Sequence, residues 1–311
     1  MAADSSFQSL VEAENYILSR PDCNALLIAG PTASGKSAFA VRLAERIGGV
    51  VINTDSMQVY RDLFILSARP TPEETLGIPH LLFGHVDGAE NYNAGRYLKD
   101  VEDILASAEV KGKIPIFTGG TGFYFKVLLE GLSPVPDVPE PVRDSLRAWA
   151  RERDTSALYR RLYDVDPGYA ERLGGSDRLR ILRALEVYEA TGKSLLDFHG
   201  ERTPGPLAGG ATLRFFLEPE RAELNRRIDL RFLGMMKRGA LEEAAGLFKR
   251  QLDPLLPVMR ACGVRPLVEH LNGSLGLEEA VIQAQTDSRR YAKRQMTWAR
   301  HQMSDWRWVR L

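Results

Sequence analysis

The chain has 311 residues, 44% hydrophobic and 26% charged, with 41 Lys and Arg balanced by 41 Asp and Glu. That length can bury a full core as one domain with a sizeable insertion or as two domains, and the zero net charge excludes a protein-wide field for nucleic acid. Cys23 and Cys262 are too few and too far apart for a disulfide framework or a zinc site, which fits a reducing compartment.

In chain order, the first 24 residues read as a short amphipathic helix carrying Phe7, Leu10, Val11, Ile17 and Leu18. Asp4, Glu12 and Glu14 make the first twenty residues unlike a signal or transit peptide, and no apolar run nears the roughly 18 residues of a membrane helix. A cytoplasmic protein is expected. The strand-like run LLIAG ends at Gly30, where the pattern G-x-x-x-x-G-K-[ST] follows as Gly30, Pro31, Thr32, Ala33, Ser34, Gly35, Lys36 and Ser37. A helical period runs from Ala38 to Ile47. This is a phosphate-binding loop: two glycines let backbone N–H groups turn inward, and the helix N-terminus adds partial positive charge. Lys36 reaches the outer phosphate oxygens, and Ser37 is placed to hold Mg2+.

A second apolar run, VVIN, leads to Asp55 and DSMQVYRD, so Asp55 is expected where a parallel strand ends, on the same sheet edge as the loop. A third run, Ile114 to Phe117, ends in TGGTG and a helix-like FYFKVLLEGL. Alternating strands and helices imply an α/β fold, a P-loop NTPase-like parallel sheet flanked by helices. From Ser133 the composition changes: SPVPDVPEP has four prolines in nine residues, and helical periods without a strand run from Val142 to about His199. GERTPGPLAGG is a second hinge, after which LRFFLEP resumes a strand. The expected organisation is a core over 1–131, an all-helical insertion domain over 132–205, and the rest of the core over 206–311. Long helical patterns follow from Pro219 to Arg250 and from Leu277 to Met303, and WRWVRL closes the chain as an expected edge strand. The last third is locally basic, with 8 Lys and Arg against 4 Asp and Glu from Arg221 to Arg250, which permits a polyanionic partner.

Five segments in this order resemble the tRNA dimethylallyltransferases (isopentenyltransferases). They are GPTASGKS, DSMQVYR from Asp55, GGTGFYFKVLLEGL from Gly119, RALEVYEATGKSL from Arg183, and DSRRYAKRQMTWAR from Asp287 to Arg300. The resemblance implies transfer of a dimethylallyl group from dimethylallyl diphosphate to N6 of adenosine 37, beside the anticodon of a tRNA. It also implies a P-loop core whose helical insertion grips the anticodon stem-loop; a monomer is expected, and the absence of a transit segment and of a C-terminal zinc module favours a bacterial-type enzyme. Two departures stand out: LFILSARPT places Arg69 where the family has a lysine, and MRACGVRPL has Val264 where a tyrosine is common.

The chemistry sets two demands. A departing diphosphate must be stabilised, which the loop amides from Thr32 to Ser37, Lys36 and a Mg2+ on Ser37 would do; the resemblance adds Arg231, otherwise a solvated helix arginine. Adenine N6 is a weak nucleophile, so a carboxylate must accept its proton, and Asp55 is the candidate base. Asp55 could instead hold a metal in a P-loop kinase or cap a helix. Thr121, in the GGTG turn, can reach the amine or the bridging oxygen, or bond its own turn. The target base must be unstacked, and Ser56, Met57 and Gln58 could border it, although a surface glutamine is an equally ready reading. Family positions facing RNA fall on Arg143 and on Leu179, Arg180, Ile181, Leu182 and Arg183, where ordinary surface charge is the alternative for the arginines. The competing function is a small-molecule or nucleoside kinase that uses the loop for ATP. Against it, the third strand ends in TGGTG without the carboxylate of an ATP-Mg2+ site.

Overall fold

A computed structural model describes residues 6–198, 200 and 202–311; the ends of the expected first helix and of the insertion, at residues 1–5 and at His199 and Glu201, fall outside the described residues. The chain divides into two units, Met1–Leu129 with Pro206–Leu311, and Glu130–Gly205.

The first unit is built on a parallel sheet. Its strands are β1 (Ser6–Phe7), β2 (Ala25–Ala29), β3 (Gly49–Asn53), β4 (His80–Leu81), β5 (Ile114–Gly119), β6 (Thr212–Glu218) and β7 (Arg307–Arg310), in the order β1-β7-β6-β2-β5-β3-β4. All pairings are parallel. Strands β2 and β3 are buried along their whole length, which is why they read as unbroken apolar runs rather than as alternation. Around the sheet lie α1 (Leu10–Leu18), α2 (Lys36–Ile47), α3 (Pro72–Thr75), α4 (Ala94–Leu105) and α5 (Gly122–Glu130). One core joins Leu26, Ile28, Phe39, Leu43, Val51, Ile116, Phe215 and Val309, all at most 2% exposed. Among the described residues no helix is long and apolar enough to cross a membrane.

Two sequence expectations are corrected here. Phe7 is not in the first helix: it pairs with Val309 in β1, and Ser9 starts α1 by accepting the N–H of Glu12. The closing WRWVRL segment is therefore not an edge strand, because β1 covers β7 on its outer side. A two-residue strand carries too little pattern to be read, and it gains its order from the longer β7 beside it.

The second unit is helical. It holds α6 (Glu140–Arg151), α7 (Thr155–Val165), α8 (Pro167–Leu173) and α9 (Arg178–Thr191). Asp154, Asp166 and Asp177 cap the last three helices, each accepting a backbone N–H three residues on. Leu146, Leu158, Leu162, Ile181 and Leu185 form its core.

After β6 the first unit continues with α10 (Arg221–Lys237), α11 (Ala240–Lys249), α12 (Val264–Leu271) and α13 (Leu277–Gln302). The expected single pattern from Pro219 to Arg250 is broken at Gly239, whose φ of 101° is open to glycine and costly for other residues. Val264 is fully buried at the start of α12, so this departure from the family pattern is a core side chain.

Candidate active site

Three loops leave adjacent strands at one sheet edge. Register pairs Ala29 with Gly119 and Asn53 with Thr118, so the loops after β2, β3 and β5 emerge level with one another. This is the carboxyl edge of a parallel sheet, where such folds place their ligands.

The first is the phosphate loop. Ala33 and Gly35 take positive φ values of 63° and 87°, which turn the chain into the N-terminus of α2. The amide of Thr32 donates to Oε1 of Gln295 (2.9 Å) and that of Ser34 to the carbonyl of Pro31 (3.2 Å). This narrows the expectation that every amide from Thr32 to Ser37 faces phosphate: among the described residues, the N–H groups of Ala33, Gly35, Lys36 and Ser37 are those without a protein acceptor. Gly30 is needed for space, since a Cβ there would lie 2.7 Å from Oγ of Ser34. Lys36 donates from Nζ to the carbonyl of Pro31 (3.2 Å). Burial lowers its ammonium to about 8, with Asp55 opposing the shift and Arg231 adding to it.

A cavity of about 870 Å³ lies over this loop, lined by Lys36, Ser37, Arg69, Arg227, Arg231 and Arg238 among others. Five arginines, Arg42 included, and a lysine face this space against Glu45 and Glu74, a balance that suits a polyanion. Arg227 is held by Glu223 at 2.7 Å, whereas Arg231 donates to the hydroxyl of Thr32. Arg69 lies over the ring of Phe64, 4.8 Å from its centroid, and fills the space beside Gly84. Ser37 offers a hydroxyl on the cavity wall, and no cluster of three His, Cys, Asp or Glu able to hold a metal exists among the described residues. That donor set fits Mg2+, which keeps several waters and takes phosphate oxygens as ligands, and does not fit an all-protein metal cage.

The second loop carries Asp55. Buried Asn53 clamps its backbone from both sides: Oδ1 accepts the N–H of Asp55 (2.9 Å), and Nδ2 donates to its carbonyl (2.9 Å) and to that of Leu82 (3.0 Å). Tyr97 supports the strand end, its hydroxyl lying 3.1 Å from the carbonyl of Asn53. Asp55 does not cap a helix; its Oδ1 accepts the N–H of Met57 (2.9 Å) in a local turn. Gln58 is committed as well, since its Nε2 donates to the carbonyls of Ser67 (3.0 Å) and Ala68 (2.9 Å). The segment that supplies those carbonyls is fixed in turn by Glu243, whose carboxylate accepts the N–H groups of Phe64, Ile65 and Leu66 at 2.7–2.8 Å.

The third loop is the GGTG turn. A Cβ at Gly119 would strike the backbone of Thr54, one at Gly120 would strike Nε2 of Gln295, and one at Gly122 would strike the ring of Trp298. The hydroxyl of Thr121 accepts the N–H of Ser56 (2.9 Å) and lies 3.2 Å from Oγ of Ser56, so it ties this turn to the Asp55 loop. Gln295 completes the assembly, donating to the carbonyl of Gly120 (2.8 Å) while accepting from Thr32.

Two smaller cavities are lined by residues of the same three loops. One of about 60 Å³ is lined by Thr32, Asp55, Leu66, Arg231, Phe232 and Cys262, with Arg231 shared with the phosphate cavity. Another of about 310 Å³ is lined by Gly30, Ser56, Thr121, Gln295 and Trp298, and Tyr291 borders both. The three are a cationic cavity, a small one of mixed polar and apolar lining beside a carboxylate, and a larger one rimmed by Thr121 and aromatic rings.

Comparisons with known proteins identify the family. The IPP transferase profile matches residues 58–302, and the isopentenyl transferase profile matches residues 23–83. The chain belongs to the IPP transferase family. The tRNA dimethylallyltransferase of Methylobacterium nodulans is 59% identical over 92% of this chain and 94% of its own length, and that of Methylobacterium radiotolerans is 56% identical over 92% of each. Among solved structures, the tRNA isopentenylpyrophosphate transferase of Bacillus halodurans has a TM-score of 0.66 at 31% identity, covering 92% of this chain and 90% of its own. A eukaryotic dimethylallyltransferase acting on tRNA has a TM-score of 0.73 at 31% identity, covering 89% of this chain and 70% of its own.

The remaining residues singled out from the sequence of this IPP transferase lie in the helical unit. Arg143 donates to the carbonyl of Val138 (3.3 Å), Arg180 pairs with Asp177 (3.3 Å), and Arg183 lies 3.9 Å from the buried Glu186, which Arg147 also contacts. Leu179 is exposed, whereas the side chains of Ile181 and Leu182 are buried in the core of the unit. Residues that sequence reading passed over are Asn53, Glu243 and Gln295, while Tyr291, read with Trp298 as a stacking or core aromatic of the C-terminal helix, lies on the walls of two cavities. Asn53 had a signal, a polar residue ending an apolar strand. Gln295 stands within the RRYAKRQ segment without a local pattern that separates it from neighbouring surface residues.

Proposed function

We propose that this IPP transferase transfers the dimethylallyl group of dimethylallyl diphosphate to N6 of adenosine 37 in tRNA, releasing diphosphate. The observation that carries this reading is the set of shared walls: Arg231 lines the first cavity and the second, Asp55 lines the second, and Tyr291 lines the second and the third. The diphosphate occupies the cationic cavity, held by the N–H groups of Ala33, Gly35, Lys36 and Ser37 and by Lys36 and Arg231. The five-carbon group extends into the small cavity between Leu66 and Phe232. The adenine enters the cavity beside Thr121, whose volume of about 310 Å³ sits at the low end of small-molecule sites, near 300 Å³.

The allylic carbon loses its bond to the bridging oxygen, and the electron pair leaves with the diphosphate, where preorganised cations and amides receive it. N6 forms the new bond to that carbon, and Asp55 takes the N6 proton through Oδ2, because Oδ1 is engaged by Met57. Thr121 holds the Asp55 loop level with the acceptor turn through Ser56 and faces the incoming amine. A Mg2+ ion, held by Ser37 and phosphate oxygens, would supply further charge neutralisation on the leaving group. The helical unit, with Arg143, Arg180 and Arg183 at its surface, is assigned to the anticodon stem-loop.

A kinase reading is less well supported, since the strand beside the phosphate loop ends in the Gly119–Gly122 turn with no carboxylate for a nucleotide-bound metal. Incubation with Mg2+, radiolabelled dimethylallyl diphosphate and unmodified tRNA should place label in the tRNA as a prenylated adenosine. Consumption of ATP with no label in the tRNA would reverse the assignment.

A further inference from the structure

Tyr291, on α13, has no part in the reaction described so far, yet among the described residues it is the one that borders both the 60 Å³ cavity beside Asp55 and the 310 Å³ cavity beside Thr121. We infer that the ring of Tyr291 is the partition between donor and acceptor chambers, covering the allylic carbon against water until the incoming adenine displaces it. The inference rests on the proposed prenyl transfer and adds to it the way in which the reactive carbon is protected.

Three features support the assignment. Arg294 lies over the ring, 5.6 Å from its centroid, and lines only the acceptor cavity of the two, so a cation covers the ring from the acceptor side. On the same helix Ser288, one turn before, is buried, and Gln295, one turn on, is held by two hydrogen bonds that fix this part of α13 against both loops. Burial, with Asp55 and Cys262 close by, keeps the phenol above its ordinary value and therefore neutral, so it puts no anion beside a donor carbon that develops positive charge.

The need for a partition follows from the chemistry. An ionising allylic diphosphate reacts with any nucleophile at hand. If water reaches the carbon, its oxygen forms the new C–O bond, the old C–O bond breaks with its electron pair leaving on diphosphate, and the water proton passes to Asp55 or to solvent. Dimethylallyl alcohol and diphosphate are then formed without tRNA modification. An aromatic plate that only the base displaces suppresses this loss.

The test compares diphosphate released with adenosine prenylated, and measures tRNA-independent diphosphate release, for the wild type, Tyr291→Phe, Tyr291→Ala and Tyr291→Trp. Wild type and Tyr291→Phe, which keep the ring, should give a ratio of about 1, while Tyr291→Ala should raise it above about 3 with alcohol as the extra product. Tyr291→Trp, a larger plate, should raise the KM for tRNA while leaving tRNA-independent release at or below the wild-type level. A ratio of about 1 in Tyr291→Ala, or an unchanged tRNA KM in Tyr291→Trp should Tyr291→Ala fail to fold, would overturn the partition and leave the transfer itself standing. No prenylated adenosine from the wild type would overturn the transfer instead.

Discussion

Arg231 donates through Nη2 to the hydroxyl of Thr32, joining α10 to the phosphate loop across 199 positions of sequence. The guanidinium thereby stands on the wall common to the phosphate cavity and the small cavity, where charge on a leaving diphosphate develops. Because a hydrogen bond to a charged group contributes about 1.5–3 kcal/mol, Arg231→Ala should lower kcat/KM for the donor by about 10- to 100-fold. Arg227→Ala should change it far less, since Arg227 is neutralised by Glu223. Steady-state kinetics with varied donor check both, and equal losses in the two variants would contradict the difference.

Lys36 gives a pH signature. Its ammonium titrates at about 8 in the folded protein, against 10.5 for a free lysine side chain. Between those values the folded chain binds fewer protons than the unfolded one, so this group makes stability rise with pH across that window, and below it the buried charge weighs fully against folding. Diphosphate should restore the proton. Calorimetric titration with inorganic diphosphate at about pH 9, in two buffers of different ionisation enthalpy, should register net proton uptake. Affinity should also fall as pH rises through about 8, and heats that do not depend on the buffer would exclude the coupling.

Gln295 and Glu243 test the frame around the site. Gln295→Leu removes a donor and an acceptor that join the phosphate loop to the Gly120 turn, and should cost about 1–3 kcal/mol of stability. Glu243→Ala leaves three backbone N–H groups from Phe64 to Leu66 without their acceptor and should cost about 2–4 kcal/mol. Urea unfolding measures both. A loss below about 0.5 kcal/mol, the range of ordinary surface substitutions, would show that these contacts do not hold the loops.

The parts legible in the sequence are those governed by local backbone chemistry. Gly35 announces a positive φ, VVIN and IPIF announce fully buried strands, and the proline-rich stretch at Ser133 marks where the strand pattern gives way to helices. The level placement of the Asp55 and GGTG loops followed from parallel pairing alone. What escaped reading depends on distant partners. Phe7 looks helical until Val309 offers it a strand, and Gln58 looks free until Ser67 and Ala68 accept its amide. Gln295 lies on a basic helix whose sequence shows charge but not which residue turns inward.

Asp55 provides the central test. Asp55→Asn keeps an acceptor for the N–H of Met57 and so preserves the turn, while removing the group that accepts a proton. Single-turnover prenylation of tRNA, measured beside equilibrium binding of donor and tRNA, should show both substrates bound at near wild-type affinity and the rate lowered by about 100- to 10,000-fold. A variant that binds both and retains most of its rate would contradict the account.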